Sequence, residues 1–192
     1  MELLTGIFSA FGLSASAGLN AYIPLLAIGV IDHYTDLLTL QKPWDTLSNP
    51  WILILLGILL IIEMLADKIP AVNHLNDAIQ TVVRPAAGAV AFAASANVIT
   101  DVHPVLALAL GLFVAGGVHL AKAGIVRPVV TATTGGTANV PVSIAEDVAA
   151  TGVSILAILV PMVVGILLIV AFAFIVWWLW RRWSGPGQTK TT

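Results

Sequence analysis

Glu63 and Asp67 stand four residues apart in Glu63-Met-Leu-Ala-Asp67-Lys68-Ile69-Pro70, at the end of an otherwise apolar run that starts at Trp51. That spacing puts both carboxylates on one face of a helix. An ionisable group within a membrane segment is costly and marks a candidate functional site. A carboxyl at that depth suits proton or cation exchange. His119 and Lys122, three apart at the end of another apolar run, are the natural partners. Glu63, Asp67, His119 and Lys122 are therefore the expected coupling residues. Structural ion pairs of Glu63 with Lys68, Arg84 or Lys122 fit the same residues. Arg84-Pro85 and Arg127-Pro128 each pair a cation with a proline suited to a first helical turn. An arginine beside a helix N-terminus is suited to an anion or a lipid head group. Asp67, His74 and Asp77 match no defined metal motif, so no metal and no cofactor is expected. No Gly-x-Ser-x-Gly, phosphate-binding loop or His-Glu-x-x-His occurs, and the chain reads as a non-enzyme.

Two weakly hydrophobic stretches carry hydroxyls, amides and helix breakers. Ser14-Ala-Ser-Ala-Gly-Leu-Asn-Ala-Tyr-Ile-Pro24 aligns without gaps to Thr131-Ala-Thr-Thr-Gly-Gly-Thr-Ala-Asn-Val-Pro141. Identities fall at Ala15/Ala132, Gly18/Gly135, Ala21/Ala138 and Pro24/Pro141. Glycine lets the backbone leave the helix and proline removes a donor. The freed backbone groups then need partners at a depth without water. Paired interruptions of this kind point to a transport site. The expected path residues are Ser14, Ser16, Gly18, Asn20, Pro24, Thr131, Thr133, Thr134, Gly135, Asn139 and Pro141. Close helix packing through small residues is the competing explanation.

The elements that must position these groups follow from composition. The chain has 192 residues, 59% hydrophobic and only 9% charged, with a mean hydropathy of +1.01. Soluble domains carry roughly 25% charged residues, so an integral membrane protein is expected. There is no cysteine, which excludes disulfides and thiolate chemistry. The formal net charge of −2 gives no basic surface for nucleic acid. No Lys or Arg precedes the first apolar run, so no secretory signal is expected.

Six stretches are candidate spans: 3–31, 51–66, 85–99, 104–121, 128–145 and 148–180. The expected fold is all-α and transmembrane, in one polytopic domain over 1–183 with a flexible tail over 184–192. Segments near 3–31 and 126–146 are expected to be broken or re-entrant, forming an internal repeat. The last stretch exceeds the ~20 residues that cross a bilayer, so it must tilt, bend at Pro161 or protrude. If all six cross and the N-terminus is cytoplasmic, seven of the eight basic residues fall inside, as the positive-inside rule asks. Both termini are then cytoplasmic, and Glu146-Asp147 lie on the outer side. A four-span layout with stretches one and five as re-entrant hairpins fits the charges equally.

The segments Gly-Leu-Ser-Ala-Ser-Ala-Gly-Leu-Asn-Ala-Tyr-Ile-Pro24, Glu63-x-x-x-Asp-Lys-Ile-Pro70 and Arg84-Pro-Ala-Ala-Gly-Ala resemble an uncharacterised family of small bacterial membrane proteins, domain of unknown function 4126. The resemblance covers about residues 5–180. It implies a bacterial inner membrane and no particular activity. The expected function is a small transporter or channel-like permease for a small solute or ion, coupled to protons or cations. Its expected partners are the lipid bilayer, that solute and a second copy of the chain. Phospholipid binding through Arg84 and Arg127, and a non-catalytic scaffold, are the alternatives.

Overall fold

Caps and prolines set the helix starts. Asn49 Oδ1 accepts from Trp51 N at 2.9 Å, and Pro50 occupies the first turn, where its missing N–H costs nothing. Pro104 and Pro128 take the same place in their helices. The computed structural model describes residues 2–99 and 102–183, without the side chains of 2, 3, 70–75, 77, 97–99 and 183. Its helices are α1 (Glu2–Leu19), α2 (Tyr22–Tyr34), α3 (Pro50–Ala66), α4 (Pro70–Ile99), α5 (Pro104–Ala121), α6 (Arg127–Thr134), α7 (Asn139–Leu159) and α8 (Pro161–Trp183). A short 3-10 turn covers Trp44–Ser48, and a π turn, Lys122–Val126, joins α5 to α6. No strand occurs among the described residues. The protein is all-helical.

Three helices are long and apolar enough to cross a membrane: Pro104–Thr134, Asn139–Leu159 and Pro161–Arg182. The surface agrees with that solvent. Ile54, Leu55, Ile58, Ile61 and Ile62 of α3 are exposed, and so is most of α8. The interior is instead made of small residues, Ala10, Ala17, Ala21, Ala91, Ala93, Ala94 and Ala115 among them. Lipid gives apolar side chains no reason to turn inward, so association rests on close packing, which small residues allow.

Named contacts fix the topology. Phe11 packs on Phe92 and Gly18 lies against Ala115, so α1 is antiparallel to α4 and parallel to α5. Ser16 meets Ser154, and Asn20 meets Asp147, so α1 is antiparallel to α7. α2 turns back from Asn20, and Gly29 reaches Leu47 and Leu53 at the start of α3. Stretch one is thus a helical hairpin with its tip at Asn20. Stretch five is a second hairpin: α6 ends at Gly135 (φ 61), and Thr131 bonds to Asn139 across the turn. Glycine relieves the left-handed conformation that ends α6.

Several expectations are corrected by this arrangement. Stretch five turns back on itself, because Arg127 at its start and Glu146 at its end meet. Glu146 and Asp147 therefore lie beside Lys122, Arg127 and Lys68, not on the opposite side. Stretch one turns back as well, at Asn20. Consequently α1 begins at the end of the bundle remote from those cations. Stretch six is two helices, since Val160 leaves the helical region (φ −140, ψ 61) before Pro161, as residues preceding proline tend to do. Pro85 does not open a helix. It lies within α4, a 30-residue helix, and a proline inside a packed membrane helix is tolerated because surrounding groups can re-satisfy the freed backbone carbonyl. The tail 184–192 and the side chains of His74 and Asp77 lie outside the described residues.

Glycine contacts give a stability prediction. A Cβ on Gly111 meets the Gly88 carbonyl, with Phe92 Cβ at 2.6 Å and Ala89 Cα at 2.7 Å, whereas Gly57 has nothing within 4 Å. Gly111→Val is expected to destabilise by about 1–3 kcal/mol through overpacking, and Gly57→Val by much less. Thermal unfolding in detergent, followed by circular dichroism, checks the difference.

Candidate functional site

The ends of α1, α3 and α5, the middle of α4 and the two arms of the α6–α7 hairpin meet at one level. There they bring together four carboxylates, Glu63, Asp67, Glu146 and Asp147, and four cations, Lys68, Arg84, Lys122 and Arg127. The eight formal charges cancel. They include half of the chain's eight Lys and Arg residues. A charge-balanced set is what an apolar interior demands, because an unpaired buried ion costs several kcal/mol.

Arg84 is the innermost member, with a fully buried side chain. Its Nε and Nη2 both donate to Glu63 Oε1, at 3.1 and 2.9 Å. Nη2 also lies 3.5 Å from Asp67 Oδ2, and Nη1 lies 3.3 Å from His119 Nδ1. On its other side, His119 Nε2 is 3.2 Å from the Thr81 hydroxyl. Asp67 is the hub. Its Oδ1 accepts from Asn76 Nδ2 at 2.6 Å. Its Oδ2 faces Arg127 at 3.1 Å, Lys122 at 3.8 Å and the Ser143 hydroxyl at 3.5 Å. Lys122 also pairs with Glu146 at 2.7 Å.

The network is tied directly to the interrupted helix. Lys122 Nζ donates to the Leu19 carbonyl at 3.1 Å, at the end of α1. Asn20 Oδ1 accepts from the Tyr22 and Ile23 amides at 3.1 and 3.2 Å, which caps α2. The same side chain donates through Nδ2 to Asp147 Oδ1 at 3.0 Å, and Asp147 faces Lys68 at 3.5 Å. One asparagine therefore serves the helix start and the ion network together.

Four sequence-nominated groups, Glu63, Asp67, His119 and Lys122, are brought together here with Arg84, Arg127 and Asn20. Ser14 and Ser16 lie farther along α1, and their hydroxyls bond to the Gly111 and Ala150 carbonyls, both at 2.8 Å. Gly18 is a close-packing point, where an added Cβ would come within 2.6 Å of the Ala115 carbonyl oxygen, and Pro24 is buried. The second polar stretch stands apart. Thr131, Thr133, Thr134, Gly135 and Pro141 are exposed, and Asn139 is half-buried. The two aligned stretches share a helix–break–helix shape, and their second helices start at aligned residues, Tyr22 and Asn139. Their surroundings differ.

Glu146, Asp147, Lys68, Asn76 and Ser143 complete the network without having been nominated as site residues. A balance of charges near the membrane segments is the signal that would have found the acids. Helical spacing of Asn76, Gln80 and Arg84 is the signal for the polar face of α4. An apolar cavity of about 460 Å³ between α1, α5 and α8, lined by Phe8, Phe11, Val114, Leu168 and Phe172, contains no charged residue and is separate from the network.

Fold and site define a small all-helical protein with membrane-spanning helices and a buried, charge-balanced ion network. The chain belongs to the family described as a domain of unknown function (DUF4126), whose model matches residues 7–182. Neither the curated proteins nor the solved structures give a match.

Removing one partner from a buried ion pair costs about 3–5 kcal/mol, much of it from the stranded charge. Arg84→Met is expected to destabilise on that scale. The double variant Glu63→Leu/Arg84→Met is expected to recover much of the loss. Unfolding of the purified protein in graded denaturing detergent measures both.

Proposed function

We propose that the protein is a small membrane permease that moves a small solute or ion, with the Glu63–Asp67–Arg84 network as its coupling element. One observation carries this reading: the break in α1 is held by the charge network itself, through Leu19, Asn20, Lys122 and Asp147. Interrupted helices that meet ionisable groups within the membrane are how secondary transporters build coupled sites. Ser14, Ser16, Gly18, Asn20 and Pro24 form one wall of the path. The exposed hairpin turn from Thr131 to Pro141 forms its mouth. A bundle this small encloses a path poorly alone, and we take the working form to be a homodimer.

We place the protein in a bacterial inner membrane, with the charged end of the bundle toward the cytoplasm, following the positive-inside rule. The start of α1 then faces the opposite side. α8 is long enough to return, which keeps Arg181, Arg182 and the C-terminus cytoplasmic. A phospholipid role for Arg84 and Arg127 has less support, because both already face carboxylates. A scaffold role has one observation in its favour, the glycine contacts that draw α1, α4 and α5 together.

The chain has no cysteine, so single cysteines report directly on water access. We expect a small water-soluble thiol reagent to label Ser16→Cys, Asn20→Cys and Ser143→Cys in native membranes. Ala93→Cys, at a fully buried position away from the network, is expected to stay unlabelled. Failure to label any of the first three sinks the permease reading in favour of the scaffold.

A further inference from the structure

We propose that Glu63 and Gln80 form a proton-binding site and that H⁺ is the coupling ion of the permease proposed above. Three features of the charge network converge on it. Both donors that Arg84 offers Glu63 go to Oε1. Glu63 Oε2 is buried and has no hydrogen-bond partner among the described residues. Two further such oxygens are Gln80 Oε1, in a residue only 3% exposed, and Glu146 Oε2, which has the Lys122 ammonium 2.7 Å away; Glu63 Oε2 and Gln80 Oε1 have no cation of that kind at hand.

The helix registers set Glu63 and Gln80 on facing helix surfaces. Asn76, Gln80 and Arg84 recur every fourth residue and share one face of α4. Asn76 reaches Asp67 and Arg84 reaches Glu63. That face therefore looks onto the Glu63–Asp67 face of α3, with Gln80 between the two paired positions. Two buried acceptors without a donor are each costly. An anion cannot satisfy them. In the proposed site a proton carried on Oε2 turns that oxygen into a donor, and Gln80 Oε1 is its acceptor.

The step balances simply. A hydronium ion entering the site transfers one proton to Oε2 and leaves as water, so one O–H bond breaks and one forms without electron transfer. Before the step the eight network charges sum to zero, and after it they sum to +1. Arg84 then faces a neutral Glu63 and relies on Asp67, which Lys122 and Arg127 already share. Proton uptake is in this way transmitted to the residues that hold the end of α1. The other titratable groups around Glu63 are Tyr22 on α2, Asp67 on its own helix, Arg84 on α4, Lys122 in the π turn and, through Arg84, His119 on α5.

Infrared difference spectroscopy of the protein reconstituted in lipid bilayers tests the site, with pH lowered stepwise in sodium-free buffer. A protonated-carboxyl band is expected in the wild type and is expected to be absent in Glu63→Gln. In Gln80→Leu the band is expected to persist at higher frequency, because the acid O–H has lost its acceptor. The Gln80→Leu comparison stands alone should Glu63→Gln fail to fold, which circular dichroism reports. No titrating band, or a band indifferent to either variant, overturns the proposal. So does a Glu63-dependent carboxylate change that follows added sodium at fixed pH. A normal band without thiol labelling keeps the proton site and removes the permease. Labelling without the band does the reverse.

Discussion

A guanidinium with no exposed surface governs this structure. Arg84 stands in the middle of α4, in a molecule whose outer faces suit lipid. Neither lipid nor an alanine-rich interior can solvate it. It needs carboxylates, and the nearest are Glu63 and Asp67, one helical turn apart on α3. Asp67 then needs more positive charge than Arg84 supplies, because Arg84 spends its shortest bonds on Glu63. Lys122 and Arg127 provide it, and they in turn draw in Glu146. The network grows outward until its charge closes.

That growth shapes the backbone around it. Bringing Arg127 and Glu146 together across 18 intervening residues requires the chain to turn back, which the left-handed Gly135 permits. Eight residues of α6 extend about 12 Å, too little to cross a bilayer. On the other side, Lys122 holds the last carbonyl of α1, and Asn20 holds the first amides of α2. Both hairpins therefore have an end anchored in the same ionic centre. The broken backbone and the buried charge are one arrangement, which is why the coupling role rests on them jointly.

The rest of the bundle supplies rigidity. Gly18, Gly88 and Gly111 let α1, α4 and α5 approach until backbone meets backbone. Ser14, Ser16 and Ser154 return their hydroxyls to neighbouring carbonyls or to one another. Small-residue packing and polar cross-bonding thus divide the interior, with the tight alanine and glycine layers at one level and the charges at another.

Much of this was legible in the residues alone. Low charge and long apolar runs determine an all-helical membrane protein, because only internally bonded backbone survives in lipid. The four-residue spacing of Glu63 and Asp67 determines a shared face, and Asn49-Pro50 determines the start of α3. Glycine and proline mark where stretches one and five break. What the residues could not determine is direction. A break that bends a crossing helix and a break that reverses it use the same glycines, asparagines and prolines. Charge bias does not separate them, since loops on one side collect the same cations in either layout. Only tertiary structure decided that both stretches turn back, that Glu146 and Asp147 join the basic residues, and that Pro85 lies inside α4. The physical reason is that ion pairing is non-local. Arg84 fixes which carboxylates it meets through contacts 17 and 21 residues away, and Arg127 reaches Asp67 across 60, distances at which local sequence pattern carries no information.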